Sequence, residues 1–432
     1  MNDPVTDFIQ LFQDEKFLRL VSFLRLTAPV WLPLTLLSIF MRFWLRYIRS
    51  DFFAREGYKL LEVKLPREIF KSPRAMEMVF NNIWQRGSVT YFDTYRDGKV
   101  RPWFSFEIAS FGGEIHFFVW TLPKYRNLIE SNIYSQYPTV EIFEVPDYTI
   151  PVRFNPEKRF MWGTYFQFTK SDSYPIKTYV DYGLDKEMTE EEQKIDPLTA
   201  VIEYMGSLKK GEQLWFQIAA RAHSRLGLLN GHLFPRADWQ KEGRDEIDKI
   251  LLRNSETKGS RQLSPTGFPI IPTLTEGEKR QAEAIERSLD KLAYECAVRF
   301  FYIAEKEVED LIPLTIAGLV GIMRQYNSID LNGFKLGWYT DLADLTKDFF
   351  SLFFIPKRIW DQFQQNYARR FLDAYKRRSY FYPPYRFFKQ TPLILTVEEL
   401  ATIYHFPGSV ATTPTFGRIL SKRAEPPPNL PV

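Results

Sequence analysis

Length, composition and charge limit what the chain can be. Its 432 residues are 45% hydrophobic and 16% aromatic, which excludes an intrinsically disordered protein. The net charge of +4 is too small for the whole chain to be a nucleic-acid binder, and a single cysteine, Cys296, excludes a disulfide framework.

An apolar stretch near the N-terminus, residues 26–41, contains no charged residue and has an arginine on each side. As a helix it would be about 24 Å long, and the hydrocarbon core of a bilayer is about 30 Å thick. Because the flanking arginine side chains can reach the headgroups, we predict a membrane-spanning helix over about residues 20–48. The predicted span residues include Leu26, Trp31, Leu36, Phe40 and Met41. A helix lying in the membrane plane and a buried core helix are the alternatives.

The charges on the two sides of this stretch predict its orientation. More basic residues follow the stretch than precede it, by a narrow margin. By the positive-inside rule, the part of the chain that follows the stretch then lies in the cytoplasm. We therefore expect residues 1–58 to anchor a single-pass protein of the inner cell membrane, with most of the chain cytoplasmic.

Residues 59–150 predict four strands and two helices in the order βαββαβ. Alternating apolar and polar residues predict strands at 59–65, 103–109, 114–122 and 140–145. Ser72 and Pro73 are typical of a helix start, and Gly112-Gly113 is typical of a two-residue hairpin turn. The second helix is predicted at 125–137. This order is that of a ferredoxin-like sandwich, with both helices on one face of an antiparallel sheet.

Residues 151–327 predict a second α+β domain. Strands are predicted at 160–168, 174–182, 213–220 and 293–304, and helices at 196–208, 239–253, 276–292 and 308–326. Residues 254–274 are rich in Ser, Thr, Pro and Gly, which predicts a mobile insertion. The helix–strand pattern resembles that of the first domain, so we expect an α+β fold with two related ferredoxin-like units.

Residues 328–408 predict a helical basic region, which a Pro-rich linker tail, residues 409–432, follows. Between Lys357 and Lys389 the local net charge is +7, and aromatic residues lie among the basic ones. Such a surface suits single-stranded nucleic acid or anionic lipid, and a solvated helix face is the alternative. The residues predicted to make this contact are Arg369, Arg370, Lys376, Arg377 and Arg378.

Motifs for catalysis are missing from the sequence. There is no phosphate loop of the GxxxxGK[ST] type, no HExxH, no CxxC and no GxSxG. The four histidines are scattered along the chain, which is not the pattern of a zinc site. We therefore expect no catalytic residue, no metal, no cofactor and no small-molecule substrate.

Five segments carry a family resemblance in their order and spacing. They are SPRAMEMVFNNIW, FSFEIASFGGEIHFFVWTLPKYRNLIESNIYSQYPTVEIFEV, DPLTAVIEYMGSLKKGEQLWFQIAAR, EGEKRQAEAIERSLDKLAYECAVRFFYIA and LTVEELATIYHFPGSVATTPTFGRILSKRAEPPPNLP. Together they resemble the region that precedes the ATPase domain in membrane-anchored DNA-transfer proteins of the type IV secretion and conjugation type. In candidate-phylum bacteria this region is catalogued as a domain of unknown function.

The resemblance implies a non-enzymatic, membrane-anchored accessory or assembly domain for a cytoplasmic ring ATPase that translocates DNA. In that family the PPPNLP segment leads into the motor, so a chain ending at Val432 is expected to be a separate anchor subunit or the front part of a split motor. The expected partners are the membrane, the ring ATPase, DNA and further copies of the chain. A structural envelope protein unrelated to DNA and a membrane-bound enzyme of unknown chemistry are the alternatives.

Overall fold

The computed structural model describes most of the chain. The described residues are 15–66, 71–87, 90–186, 195–224, 238–251, 274–305, 312–340, 357–382, 384–385 and 390–408. The predicted tail and, apart from Leu274, the predicted insertion lie outside them. The chain divides into two compact units, the first comprising Met1–Arg55 and Thr90–Val100 and the second comprising Glu56–Val89 and Arg101–Val432.

Helices and strands are numbered in chain order within the described residues. The helices are α1 (Glu15–Glu56), α2 (Pro73–Ile83), α3 (Tyr91–Tyr95), α4 (Arg126–Gln136), α5 (Pro197–Gly206), α6 (Trp239–Ile250), α7 (Glu276–Leu289), α8 (Ile312–Ile322), α9 (Lys357–Lys376) and α10 (Val397–Ile403). The strands are β1 (Lys59–Lys64), β2 (Phe104–Phe111), β3 (Glu114–Thr121), β4 (Glu141–Glu144), β5 (Arg159–Phe168), β6 (Glu212–Ala222), β7 (Ala293–Glu305), β8 (Phe334–Tyr339) and β9 (Leu393–Thr396).

The first unit contains the long helix α1 and the short helix α3. Helix α1 is 42 residues long and continues through Pro29 and Pro33. It is longer at both ends than the predicted helix at 20–48. Its length corresponds to about 63 Å, roughly twice the thickness of a bilayer core.

The second unit has a mixed α/β fold built on one large antiparallel sheet. The strand order is β4-β1-β3-β2-β6-β7-β5-β8, and β9 pairs with the first residues of β7. Strands β2 and β6 pair from Phe104 opposite Ala220 to Phe111 opposite Gln213, so the sheet is continuous across its middle. The hairpin of β2 and β3 turns at Gly112 and Gly113, which both have positive φ, as the sequence predicted.

Local sequence signals set several helix starts in this unit. The Ser72 side chain accepts a hydrogen bond from the N–H of Arg74 ahead of α2, and Asp196 caps α5 in the same way. Proline occupies the first position of both helices. Thr396 and Glu399 form a reciprocal capping box at α10, so the predicted starts of these three helices are confirmed.

The two faces of the sheet carry different side chains because strand residues alternate. One face holds the main apolar core, with Phe106, Phe216 and Phe300 packed among side chains of α2, α4, α5, α8 and α10. The other face carries Glu107, Gln217 and Arg299, and all three are buried. Helix α9 packs on this second face, where the Phe371 ring stacks on the ring of Phe301.

Two predictions on secondary structure are wrong. Residues 174–182 are irregular up to Thr178 and form turns from Tyr179, and they are not a strand, because side chains bond their backbone: the N–H of Thr178 donates to Asp181 and the N–H of Tyr179 donates to Thr402. Residues 328–408 are not only helical. They supply β8, which pairs with β5, and β9, which pairs with β7.

Candidate functional site

Residues 26–41, the apolar half of α1, have mostly exposed side chains. Leu26 is 80% exposed, Leu34 62% and Phe40 58%. Trp31 and Leu36 are also exposed, and Met41, the last predicted span residue, is partly exposed. The segment Arg25–Glu56 is long and apolar enough to cross a membrane. A buried core helix, one of the alternatives from sequence, does not fit these exposures.

The apolar side chains surround the helix and do not form one stripe. Successive helical residues point about 100° apart, so Leu34, Leu36, Leu37 and Ile39 face four different directions. All four are exposed. A helix that is apolar on every side needs an apolar environment on every side, whereas a helix in the membrane plane has one polar face.

Aromatic side chains mark the end of the apolar half. The ring centroids of Phe40 and Trp44 lie 6.1 Å apart, and those of Trp44 and Tyr47 lie 6.2 Å apart. Arg42 and Arg46 are interspersed with them. Tyr and Trp beside basic residues are typical of the layer where a spanning helix leaves the hydrocarbon.

A second candidate site is a buried ionic cluster on the α9 face of the sheet. Arg378 Nε and Nη2 donate to the two carboxylate oxygens of Glu107, each at 2.9 Å. Arg378 Nη1 donates to Asp147 Oδ2. Arg378 and Glu107 are fully buried and Asp147 is 7% exposed, so these charges are satisfied by one another and not by water.

Neutral polar groups complete the environment of Glu107. Its Oε1 accepts hydrogen bonds from Ser105 Oγ and Gln217 Nε2, each at 2.7 Å, and its Oε2 accepts one from Tyr148 Oη at 2.7 Å. Gln217 in turn accepts a hydrogen bond from Arg299 Nε. The cluster therefore joins strands β2, β6 and β7.

The backbone places Arg378 by an unusual turn at the end of α9. Its φ is +48°, in the left-handed region that favours glycine. The N–H of Arg378 donates to Tyr375 O and the N–H of Ser379 donates to Ala374 O, both at 2.9 Å, which is the Schellman pattern that ends a helix. The ion pairs offset a left-handed backbone that costs a non-glycine residue about 1–2 kcal/mol.

Electrostatics keep Asp147 and Arg378 charged. Burial opposes ionisation of Asp147, but the charge and hydrogen bond of Arg378 hold the pKa of Asp147 below its usual value. Burial likewise opposes the charge of Arg378, but Glu107 and Asp147 raise the pKa of Arg378 well above its usual value. An acid or base catalyst needs a pKa near the working pH, so this cluster suits a structural role.

A second buried ion pair lies on the same face. Arg221 pairs with Glu295, and His223 Nδ1 lies 3.4 Å from Glu295 Oε1. The Arg221 guanidinium lies over the rings of Phe381 and Tyr382, at 4.5 and 5.4 Å from their centroids. The segment after α9 is therefore held to the sheet by stacking as well as by charge.

Of the five predicted basic contact residues, Arg378 is the one that is buried. Arg369 and Arg370 are exposed, and Arg377, the residue after α9, pairs with Asp373. Lys376 Nζ donates to the carbonyl oxygens of two residues outside α9, at 3.2 and 2.8 Å. Arg378 is buried, so it does not lie on a nucleic-acid or lipid surface, and the prediction fails for this residue because the left-handed turn places it against Glu107 on the second face of the sheet.

Sequence reasoning did not find the ionic cluster. Glu107 alternates with apolar residues in β2, which is an ordinary pattern for an exposed strand face. Nothing in the sequence near Asp147 or Arg378 indicates that the two residues meet. Within the described residues, no group of His, Cys, Asp and Glu has a geometry that could hold a metal ion.

Comparison with known proteins identifies one family. A family model described as a domain of unknown function, DUF8128, matches residues 79–332, which is more than half of the chain. No curated protein matches the chain.

Proposed function

The chain belongs to the family of the DUF8128 domain of unknown function, and from this membership and the geometry above we propose that it is a membrane-anchored, non-enzymatic assembly domain. The exposed apolar surface of α1 is the observation that carries the proposal. Each Leu, Ile, Val or Phe near the middle of a span favours insertion by about 0.3–0.6 kcal/mol. In this role α1 is the anchor and the second unit is the part that binds partners.

The architecture of the sheet supports a scaffold. From its two edges inward, the strand order is β4-β1-β3-β2 on one side and β8-β5-β7-β6 on the other. Numbered by chain order within each half, both are 4-1-3-2, with a helix after the first and after the third strand. This is the ferredoxin-like order, and we propose two such units joined edge to edge at β2 and β6.

The partner follows from the family resemblance of the sequence. The proposed partner is a cytoplasmic ring ATPase that translocates DNA, with the second unit on the cytoplasmic side of the inner membrane and further copies of the chain around the ring. Tethering would raise the effective concentration of the motor at the membrane without new catalytic groups. The exposed Arg369 and Arg370 are the basic side chains of the predicted set that are best placed to contact DNA.

The test is co-purification from native membranes. The full chain, with a tag after Val432, is expressed at its native level, solubilised in a mild detergent and purified, and the proteins that accompany it are identified. We expect a phosphate-loop ATPase in fixed ratio to the chain, and its loss from a control that carries Leu34→Asp and Leu37→Asp in α1. Recovery of the chain from membranes without any ATPase would contradict the assembly role and favour a structural envelope protein.

A further inference from the structure

The short helix α3 is fixed to α1 within the first unit. Trp44 Nε1 donates a hydrogen bond of 2.7 Å to the carbonyl oxygen of Tyr95. Three residues later, Gly98 has φ of +67°, and a Cβ added there would lie 3.0 Å from the backbone nitrogen of Arg49. The backbone after α3 therefore lies directly against α1, and the close approach requires glycine.

Its own side chains make α3 a stable turn. Thr90 and Asp93 form a reciprocal capping box at its start. Asp93 also pairs with Lys99, at 2.6 Å. The two acidic and two basic residues of Thr90–Val100 balance, so the segment carries no net charge.

This turn exposes large aromatic side chains. Phe92 is 80% exposed and Tyr91 is 54% exposed. In the same unit, Phe43 and Tyr47 of α1 are 67% and 68% exposed. Exposed Tyr and Phe rings on a segment without net charge, such as α3, suit the headgroup layer of a bilayer, where aromatic rings bury their apolar part and keep polar groups hydrated.

The direction of the chain relates α3 to the apolar half of α1. Tyr95 lies beside Trp44, and Gly98 lies beside Ile48 and Arg49, so this segment runs in the same sense as α1. The residues before Tyr95 therefore lie toward the apolar stretch that ends at Met41. Tyr91 and Phe92 therefore lie on the side of Tyr95 that is nearer to the proposed span.

We propose that α3 is a second membrane contact, a non-spanning aromatic turn that lies in the headgroup layer with Tyr91 and Phe92 directed into it. This inference rests on the proposed membrane anchor. The hydrogen bond from Trp44 to Tyr95 then fixes the depth of α1, because a shift of the helix along its axis would pull the turn out of the interface.

The experiment measures the depth of a spin label in proteoliposomes of phosphatidylcholine and phosphatidylglycerol. The full chain carries one introduced cysteine, at Phe92, at Tyr91, at Phe40 or at Ile329, and collision rates with oxygen and with a water-soluble nickel chelate are compared. Phe40 reports the span, and Ile329, 95% exposed in the second unit, is the control outside it. Burial raises the pKa of the Cys296 thiol, so the native cysteine competes poorly for the label, and the unsubstituted chain gives the background.

We expect the ratio of the collision rate with oxygen to that with the nickel chelate to be several-fold higher for labels at 91 and 92 than for the label at 329. For the label at 40 this ratio should be higher still. If the labels at 91 and 92 have the same ratio as the label at 329, while the label at 40 has the ratio of the hydrocarbon, the anchor is supported and the aromatic turn is not a membrane contact. If 40 also matches 329, the anchor itself fails. Dipolar broadening between labels at 92 on two chains would assign this surface to a second copy and overturn the lipid proposal.

Discussion

Arg378 and Glu107 lie 271 residues apart in the chain and meet through two parallel hydrogen bonds of 2.9 Å. The pair joins the turn after α9 to the middle of β2, and both residues are fully buried. A bidentate pair of this kind fixes both distance and orientation. Removing one partner leaves a buried charge without compensation, so the pair is a strong determinant of how α9 covers the sheet.

Replacing this arginine tests that role. We expect Arg378→Met to lower the free energy of unfolding by about 3–5 kcal/mol, because the buried side chains of Glu107 and Asp147 would lose the arginine that pairs with both. Thermal unfolding of the full chain in a mild detergent measures the effect.

The neighbouring Arg377→Met is the matched control, since Arg377 is exposed and pairs with Asp373 one turn before it. It should cost no more than about 0.5 kcal/mol. Equal losses for the two variants would contradict the structural role of the cluster.

The packing of α9 against β5 gives a second prediction. A Cβ added at Gly163 would collide with the ring of Phe371 and lie 2.8 Å from that of Phe301. We expect Gly163→Ala to destabilise the fold by about 1–3 kcal/mol. In α8, a Cβ added at Gly321 would have no atom of the described residues within 4 Å, so Gly321→Ala should stabilise by about 0.5–1 kcal/mol. Opposite signs of the two shifts in melting temperature are the expected result.

The buried carboxylate of Glu295 predicts the response to acid. Burial alone would raise the pKa of Glu295, but the Arg221 charge and the hydrogen bonds of His223 and Arg221 hold it well below its usual value. As pH falls below about 4.3, the unfolded chain binds a proton before the folded chain does, so stability decreases with falling pH.

Melting temperatures measured from neutral pH to about pH 3 test this loss of stability in acid, since the loss begins near the ordinary pKa of Glu. Glu295→Gln should lower the melting temperature at neutral pH and make its fall in acid shallower. Glu114→Gln is the control, because the Glu114 side chain is 65% exposed. An unchanged acid slope in Glu295→Gln would refute the assignment.

The proposed DNA contact has a salt-dependent signature. Replacing the exposed Arg369 and Arg370 by Glu should weaken binding of single-stranded DNA and reduce the slope of log K against log salt by about 0.7 for each phosphate that the variant no longer neutralises. A control with Lys279→Glu and Arg280→Glu on α7, also exposed, should leave the slope unchanged. Equal affinity of all three proteins at every salt concentration would remove DNA from the proposed function.

Local sequence signals predicted much of the fold. Ser72, Asp196 and Thr396 identified three helix starts, because a cap depends on residues within one turn of it. Gly112-Gly113 identified the β2–β3 hairpin, because both glycines have positive φ. Helix caps and tight turns depend on neighbouring residues in the sequence, so the local sequence is enough to predict them.

Features that depend on distant residues were missed. Strand β9 pairs with β7, about a hundred residues earlier in the chain. In the segment 174–182, the N–H of Tyr179 donates to Thr402, which lies more than two hundred residues later. Arg377 and Arg378 are the same residue type in the same basic run, yet one is exposed and the other is buried. The left-handed backbone at Arg378 makes the difference, and composition carries no signal for it.

The most direct test of the account is extraction of the full chain from membranes with alkaline carbonate. We predict that the native chain stays in the membrane pellet, whereas a variant with Leu34→Asp and Leu37→Asp is released, because each charge at the centre of a span costs about 2.5–3.5 kcal/mol. Ile329→Asp, at an exposed apolar residue of the second unit, should stay in the pellet. Release of the native chain into the supernatant would contradict the anchor, and with it the proposed function.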